Sequence, residues 1–211
     1  MIRVIIVDDH TIVRKGIKQL LEDTDDIRIE GEAANASEMF RKLEIASYDV
    51  ILLDIALPGR SGVEALKQLK EFYPNIPVLI LSMYPEEQYA LRVMKAGASG
   101  YLTKENDPDE MVNAIRNATK GKKYISTSLA ETLANHFYEH NEKPEYKNLS
   151  DREFEVLQHI ASGRPLTEIA DQLSLSVKTI STYRSRVLKK LGLKNNSDIV
   201  KYAMNHGLLN N

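Results

Sequence analysis

The chain has 211 residues, of which 43% are hydrophobic and 27% charged, an ordinary balance for a globular protein of one or two domains. No cysteine is present, which excludes disulfides, thiolate chemistry and Cys-ligated zinc, and no apolar run approaches the roughly 18 residues that cross a membrane. The net charge of −2 hides a split: Glu145 onward carries 10 Lys/Arg against 7 Asp/Glu and the residues before it 18 against 23, which fits two domains with different partners.

Residues 1–8 read as a strand with no signal-peptide plan before them, so a cytoplasmic location is expected. His10–Glu22 follows as a helix with Ile12, Val13, Ile17, Leu20 and Leu21 on one stripe. Ile27–Ala33 gives a second strand, and Ser37–Ala46 a second helix with Ser37 as its cap. The run Val50-Ile-Leu-Leu53 suits a strand buried on both faces, as in a parallel sheet covered by helices. Val63–Phe72 is a third helix, stopped before Pro74. Ile76–Ser82 is a fourth strand, Glu86–Ala96 a helix ended by Gly97, and Gly100–Thr103 a fifth strand. Asp107-Pro108 opens a fifth helix that runs to about Thr119. Five strand–helix repeats predict a flavodoxin-like, doubly wound, five-stranded parallel sheet of order 2-1-3-4-5.

The ends of these strands carry the chemistry. The first ends on Asp8 and Asp9, the third on Asp54, the fourth on Ser82, and Lys104 follows the fifth. A lone Asp54 before Pro58, Gly59 and Gly62 would read as a turn or capping residue. The set reads differently, because parallel strands bring these groups to one edge of the sheet. Three carboxylates together need a cation, and oxygen-only ligands with an open side suit Mg²⁺. A lysine and a hydroxyl can neutralise and hydrogen-bond an incoming phosphoryl group, and a carboxylate can accept it covalently. A Rossmann nucleotide site is excluded by the loop after the first strand, D-D-H-T-I-V, which has no Gly-rich phosphate turn. A haloacid-dehalogenase nucleophile wants a second Asp two residues on, where this chain has Ala56.

This ordered set resembles the receiver domain of two-component response regulators. The resemblance implies that Asp54 is the phosphoacceptor. It implies that Mg²⁺ sits on Asp9, on Asp8 directly or through water, on Asp54, and on the main-chain carbonyl of Ala56. Ser82 is then the switch hydroxyl, Tyr101 the switch aromatic and Lys104 the phosphoryl-binding lysine. Glu105 stands where other receivers often have proline, which alters that loop's shape.

Lys120-Gly121-Lys122-Lys123 breaks the repeat, so the receiver is expected to span 1–120. Residues 121–148 form a linker with a helix at about 126–140, carrying Leu129, Leu133 and Phe137 on one face, and a polar stretch at 141–148. His136 and His140 stand at helical spacing, but no nearby acid completes a metal site. The C-terminal domain, 149–211, opens on Ser150 as cap, Glu153 at the capping-box position, and Leu149 and Phe154 as a staple. Its first helix stops at Gly163. Thr167 is expected to cap a short helix, Ser176 the next, to about Leu191, and Ser197 the last.

In the third of these helices Val177, Ile180, Val187 and Leu191 can face a core. Lys178, Ser181, Thr182, Ser185 and Lys189 then face outward, with Thr179, Arg184 and Arg186 beside them. Small hydroxylated side chains let a helix sit deep in a major groove while Lys and Arg reach phosphates; a solvated amphipathic helix would share the same pattern. Residues 149–192 read L-S-x-R-E-x-E-V-L, I-A-x-G, E-I-A-x-x-L-x-L-S-x-K-T-I and K-K-L-G. They resemble the LuxR-type helix-turn-helix, which makes Thr167–Leu173 the scaffold helix and Ser176–Leu191 the recognition helix. Pro165-Leu166-Thr167-Glu168, Ser181 and Tyr183 depart from common members, so sequence preference does not carry over.

The two resemblances cover nearly the whole chain and mark it as similar to response regulators of the NarL/FixJ type. They imply a phosphorylation-activated, DNA-binding transcription regulator rather than an enzyme. A sensor histidine kinase is the expected donor, double-stranded DNA the target, and a homodimer the phosphorylated form, with RNA polymerase a further candidate partner and no membrane association. The last helix is the expected dimer contact, with the first and fifth receiver helices as rivals. A constitutive DNA binder and an aspartyl-phosphate phosphatase are the competing readings; the intact acid set argues against the first, and the missing second general acid against the second.

Overall fold

The computed structural model describes residues 1–138 and 145–209, which form two compact units, 1–134 and 135–211. No helix among the described residues is long and apolar enough to cross a membrane.

The first unit alternates β1 (Ile2–Val7), α1 (Thr11–Glu22), β2 (Ile27–Ala33), α2 (Ala36–Ile45), β3 (Val50–Asp54), α3 (Gly62–Phe72), β4 (Val78–Ser82), α4 (Glu86–Lys95), β5 (Gly100–Thr103) and α5 (Pro108–Thr119). The five strands pair in parallel in the order β2-β1-β3-β4-β5. Every residue of β3 and β4 is buried, which is why both read as unbroken apolar runs. On one face Val4, Ile6, Leu52, Leu79, Leu81 and Leu102 pack with Ile17 and Leu21 of α1 and Met111 and Ile115 of α5. The alternate strand residues point to the opposite face, where α2, α3 and α4 pack on β2, β3 and β5. The register sets the strand ends level: Val7 pairs with Leu53, Asp54 with Leu81, and Ser82 with Thr103.

Helix starts follow side-chain chemistry, and three differ from expectation. α2 is capped two residues before Ser37, by Asn35, whose Oδ1 accepts from Glu38 N at 2.9 Å while the Glu38 carboxylate accepts from Ala34 N at 2.8 Å. The last helix repeats that arrangement in place of Ser197: Asn195 Oδ1 accepts from Asp198 N at 3.0 Å, and Asp198 accepts from Lys194 N at 2.9 Å. In both, Asn with an acid three residues on outcompetes the nearby Ser. Thr167 does not cap its helix either; the chain turns in after Pro165 and is helical from Leu166. Ile12, expected inward, is 86% exposed. It sits about 100° round the helix from Val13, off the buried stripe.

Past α5 the chain stays on the sheet. Tyr124 N donates to Ser99 O at 2.8 Å, and Tyr124 makes a parallel bridge to Gly100 at the β5 edge. The helix α6 (Thr127–Tyr138) follows, with Leu129 buried. The side chains of Leu133, His136 and Phe137 lie outside the described set, and so does His140.

The second unit holds a short 3₁₀ turn at Glu145–Asn148 and four helices: α7 (Asp151–Ala161), α8 (Leu166–Gln172), α9 (Val177–Lys190) and α10 (Asn196–Asn205). α7 packs against α9 and α10, and α8 packs against α9. Phe154, Leu157, Ile169, Ile180, Val187 and Ile199 fill the middle. The capping box at the start of α7 is formed as read: Glu153 N donates to Ser150 Oγ at 3.3 Å, and Ser150 N to the Glu153 carboxylate at 2.8 Å. Lys190 Nζ adds a 2.6 Å ion pair to Glu153 and so ties the start of α7 to the end of α9. Between α8 and α9 the backbone reverses at Ser174, whose φ of 53° is left-handed.

Candidate functional site

Strand order places β3 between β1 and β4, beside the point where the winding reverses, and level strand ends bring the polar groups together there. Asp8 and Asp54 are 1% and 2% exposed. Lys104 Nζ lies 2.6 Å from Asp54 Oδ2 and 2.6 Å from Asp8 Oδ2, so one ammonium bridges two buried carboxylates. Ala56 N donates to the other Asp54 oxygen, Oδ1, at 3.1 Å. Burial pushes the Asp54 carboxyl up from its ordinary range; Lys104 pulls it back and Asp8 adds to the rise. Burial works to lower the Lys104 ammonium as well, but Asp54 and Asp8 outweigh it and hold the lysine charged.

Ligand atoms of Asp8, Asp9, His10 and Asp54 all lie within 4.8 Å of one another. Three hard carboxylates converging at the carboxyl end of the sheet, two of them nearly fully buried, fit a divalent cation. His10 joins the acids in this group. Its N–H donates to Asp8 Oδ1 at 2.7 Å, and its Nδ1 stands 2.8 Å from Asp9 Oδ1. The only signal for it was adjacency in D-D-H. Arg14, which no sequence motif marks, donates to the Asp8 carbonyl at 2.6 Å and to Glu32 at 3.2 Å, and so pins the loop after β1.

Ser82 and Tyr101 meet at the backbone of one residue, Tyr84. Ser82 Oγ accepts from Tyr84 N at 3.0 Å, and the Tyr101 hydroxyl donates to Tyr84 O at 2.7 Å. Tyr101 is fully buried, and burial pushes its phenol above the ordinary range. Lys104 N donates to Ser82 O at 2.8 Å, which joins the ends of β4 and β5.

Gly62 is a further residue whose role only the structure reveals. A Cβ there would stand 2.1 Å from Asp54 O and 2.6 Å from Ile55 Cα, both backbone atoms that cannot give way. Gly62 N also donates to Ile55 O at 2.8 Å. The α3 start is thus packed directly under Asp54. Gly62→Ala will displace that backbone, with a cost on the order of 3 kcal/mol. The check is a lower thermal midpoint of the first unit together with slower phosphorylation from acetyl phosphate.

In the second unit Ser176 caps α9 by accepting from Thr179 N at 3.0 Å. Ile180 and Val187 are buried, as expected, but Val177 at the first turn is 45% exposed. Lys178, Thr182, Ser185, Arg186 and Lys189 are exposed on α9, with Thr179, Ser181 and Arg184 half-buried. Two of the hydroxyls bond back along the helix, Thr182 to Lys178 O and Ser185 to Ser181 O, each at 2.9 Å. Arg184 turns to α10, where Nε donates to Asn196 at 2.5 Å, and Arg186 lies over the Tyr183 ring at 6.0 Å. A basic, hydroxylated helix face of this kind can dock in a major groove.

A doubly wound sheet with a buried acid–lysine pocket, joined to a helix-turn-helix unit, defines a phosphorylation-controlled regulator. Residues 4–116 match the family described as response regulator receiver domain, and residues 147–203 the family described as bacterial regulatory proteins, luxR family. The chain is 36% identical over 212 residues to the response regulator UvrY of Escherichia coli, covering 100% of this chain and 97% of that one. It is 35% identical over 210 residues to the response regulator GacA of Pseudomonas aeruginosa, covering 99% and 98%. Among solved structures it resembles RcsB of Salmonella enterica serovar Typhimurium bound to a promoter in the presence of a phosphomimetic, with 28% identity, 97% and 99% coverage and a TM-score of 0.67. The chain belongs to the response regulators of the NarL/FixJ type and is a phosphorylation-dependent, DNA-binding transcription regulator.

Proposed function

We propose that Asp54 is the phosphoacceptor and that a sensor histidine kinase is the donor. The observation that carries this is the Lys104 ammonium held at 2.6 Å by both Asp54 and Asp8 at the carboxyl end of the sheet. An Asp54 oxygen attacks phosphorus, the P–N bond to the kinase histidine breaks, and the imidazole keeps the electron pair and takes a proton from solvent. Lys104 neutralises the charge on the transferred oxygens. Asp8, Asp9, Asp54 and the Ala56 carbonyl would hold Mg²⁺, which when bound screens the acids and draws charge from the phosphoryl oxygens. Ser82 donates to a phosphoryl oxygen once it arrives, and Tyr101 holds the segment through which that movement passes.

Residues 1–120 serve as the receiver, 121–148 as the linker and 149–211 as the DNA-binding domain. α9 enters the major groove with Lys178, Thr179, Ser181, Thr182, Ser185, Arg186 and Lys189 toward DNA, and Arg184 steadies α10. Two copies acting together read half-sites about one helical turn apart. The solved relatives described as RcsB dimers on DNA support that reading. A cytoplasmic location suits a protein that must reach DNA, and RNA polymerase is the partner through which it would act on transcription.

Incubation with Mg²⁺ and acetyl phosphate, with intact mass and oligomeric state read together, tests the proposal. Wild type gains one phosphoryl group and shifts toward dimer, and Asp54→Ala does neither. Equal labelling of Asp54→Ala would remove Asp54 as the acceptor.

A further inference from the structure

Phosphorylation at a buried site has to reach the segment that leads to the second unit, and the first unit contains a short route. Ser82 Oγ accepts from Tyr84 N at 3.0 Å. Two residues further on is Glu86, the first residue of α4. Its carboxylate accepts a hydrogen bond from the Ser126 hydroxyl, forty residues away in sequence. Ser126 in turn opens α6, because its Oγ accepts from Leu129 N at 3.0 Å and its carbonyl from Ala130 N at 2.9 Å. Behind it Leu129 is buried, and Tyr124 is bridged to Gly100 at the sheet edge. A Cβ at Gly100 would stand 2.8 Å from Tyr124 Cβ, so the strand and the segment leading to α6 are in close contact.

We propose that Glu86 and Ser126 are positioning residues that couple the state of the Asp54 site to the start of α6. The coupling rests on the reading of Asp54 given above. When the Ser82 hydroxyl turns to a phosphoryl oxygen, Tyr84 N loses its acceptor and residues 83–86 shift. Glu86 moves with the first turn of α4 and leaves Ser126. A cavity of about 260 Å³, lined by Pro85, Glu86, Thr103, Asn106, Ser126 and Ser128, lies beside the pair and lets the carboxylate turn into water. Ser126 keeps its bond to Leu129 N, so α6 stays helical while its tether to α4 is gone. A carboxylate–hydroxyl bond at partial burial is strong enough to act as a latch and weak enough to break when residues 83–86 shift.

Hydrogen exchange over residues 124–134 of the full chain, with and without Mg²⁺ and acetyl phosphate and with intact mass recorded on each sample, tests the coupling. In wild type, phosphorylation raises exchange there on the order of tenfold, the scale of one charge-assisted hydrogen bond. Glu86→Ala shows that raised exchange already without phosphate, labels at the wild-type rate and gains nothing further. Ser126→Asp keeps an acceptor for Leu129 N but repels Glu86, and behaves the same way; Glu86→Gln, which keeps a neutral acceptor, restores part of the response. If Glu86→Ala exchanges at the unphosphorylated wild-type rate, or if wild type labels fully with no change over 124–134, the coupling is overturned while the Asp54 reading stands. A wild type that gains no mass overturns the Asp54 reading and the coupling with it.

Discussion

Lys104→Met will slow Mg²⁺-dependent phosphorylation from acetyl phosphate by about 10²–10³-fold, the usual loss when one preorganised group facing the developing charge is removed. The same variant will lose about 3–5 kcal/mol of stability without metal, as expected when one partner of a buried ion pair is deleted. The reason is geometric: Nζ sits 2.6 Å from both Asp54 Oδ2 and Asp8 Oδ2, and both carboxylates are almost fully buried. Without the ammonium they face each other uncompensated. Mg²⁺ will then restore more stability to Lys104→Met than it adds to wild type, because the cation takes over a charge the lysine supplied. Thermal unfolding with and without Mg²⁺ and the rate of mass gain check the two halves separately. A variant that labels at the wild-type rate would place the lysine outside the chemistry and leave it as a structural counter-ion.

Phe154→Ala will cost about 3–5 kcal/mol, as truncation of a fully buried aromatic generally does. Phe154 is completely buried, and its ring stacks on Tyr146 at 6.0 Å. The second unit runs from 135 to 211, and so small a unit has little stability in reserve. The loss will therefore unfold it at ordinary temperature and abolish DNA binding. The first unit has its own core around the sheet, so Asp54 will still take up a phosphoryl group. DNA affinity by titration, and labelling by intact mass on the same sample, read the two outcomes. Loss of labelling as well would mean that the two units do not fold independently.

Much of this molecule was legible before folding. Unbroken apolar runs ending on Asp54 and Ser82 are what buried parallel strands require, and β3 and β4 are buried along their whole length. The acid, hydroxyl and lysine at successive strand ends announced a shared edge, and Asp8, Asp9, Asp54 and Lys104 do come together there. The capping box at Ser150 was readable because its two hydrogen bonds are local. Asn35 and Asn195 were readable in principle by the acid three residues on, although Ser37 and Ser197 stood nearer the expected helix start.

Composition and pattern by themselves determined the two-domain plan, the parallel sheet, the helix periods and the residue types available at the strand ends. Those properties depend on chemistry within a few residues and on the repeat of apolar positions, so they are written along the chain. Tertiary structure alone decided which side of a helix Ile12 and Val177 face, and that Gly62 lies against the Asp54 backbone. It also decided that Arg184 is drawn to Asn196. Only folding showed that Lys104 bridges two acids from different strands, and that Ser126 reaches back to Glu86. Each of these depends on distances of a few ångströms between residues far apart in sequence, and such distances exist only once the sheet has set its register.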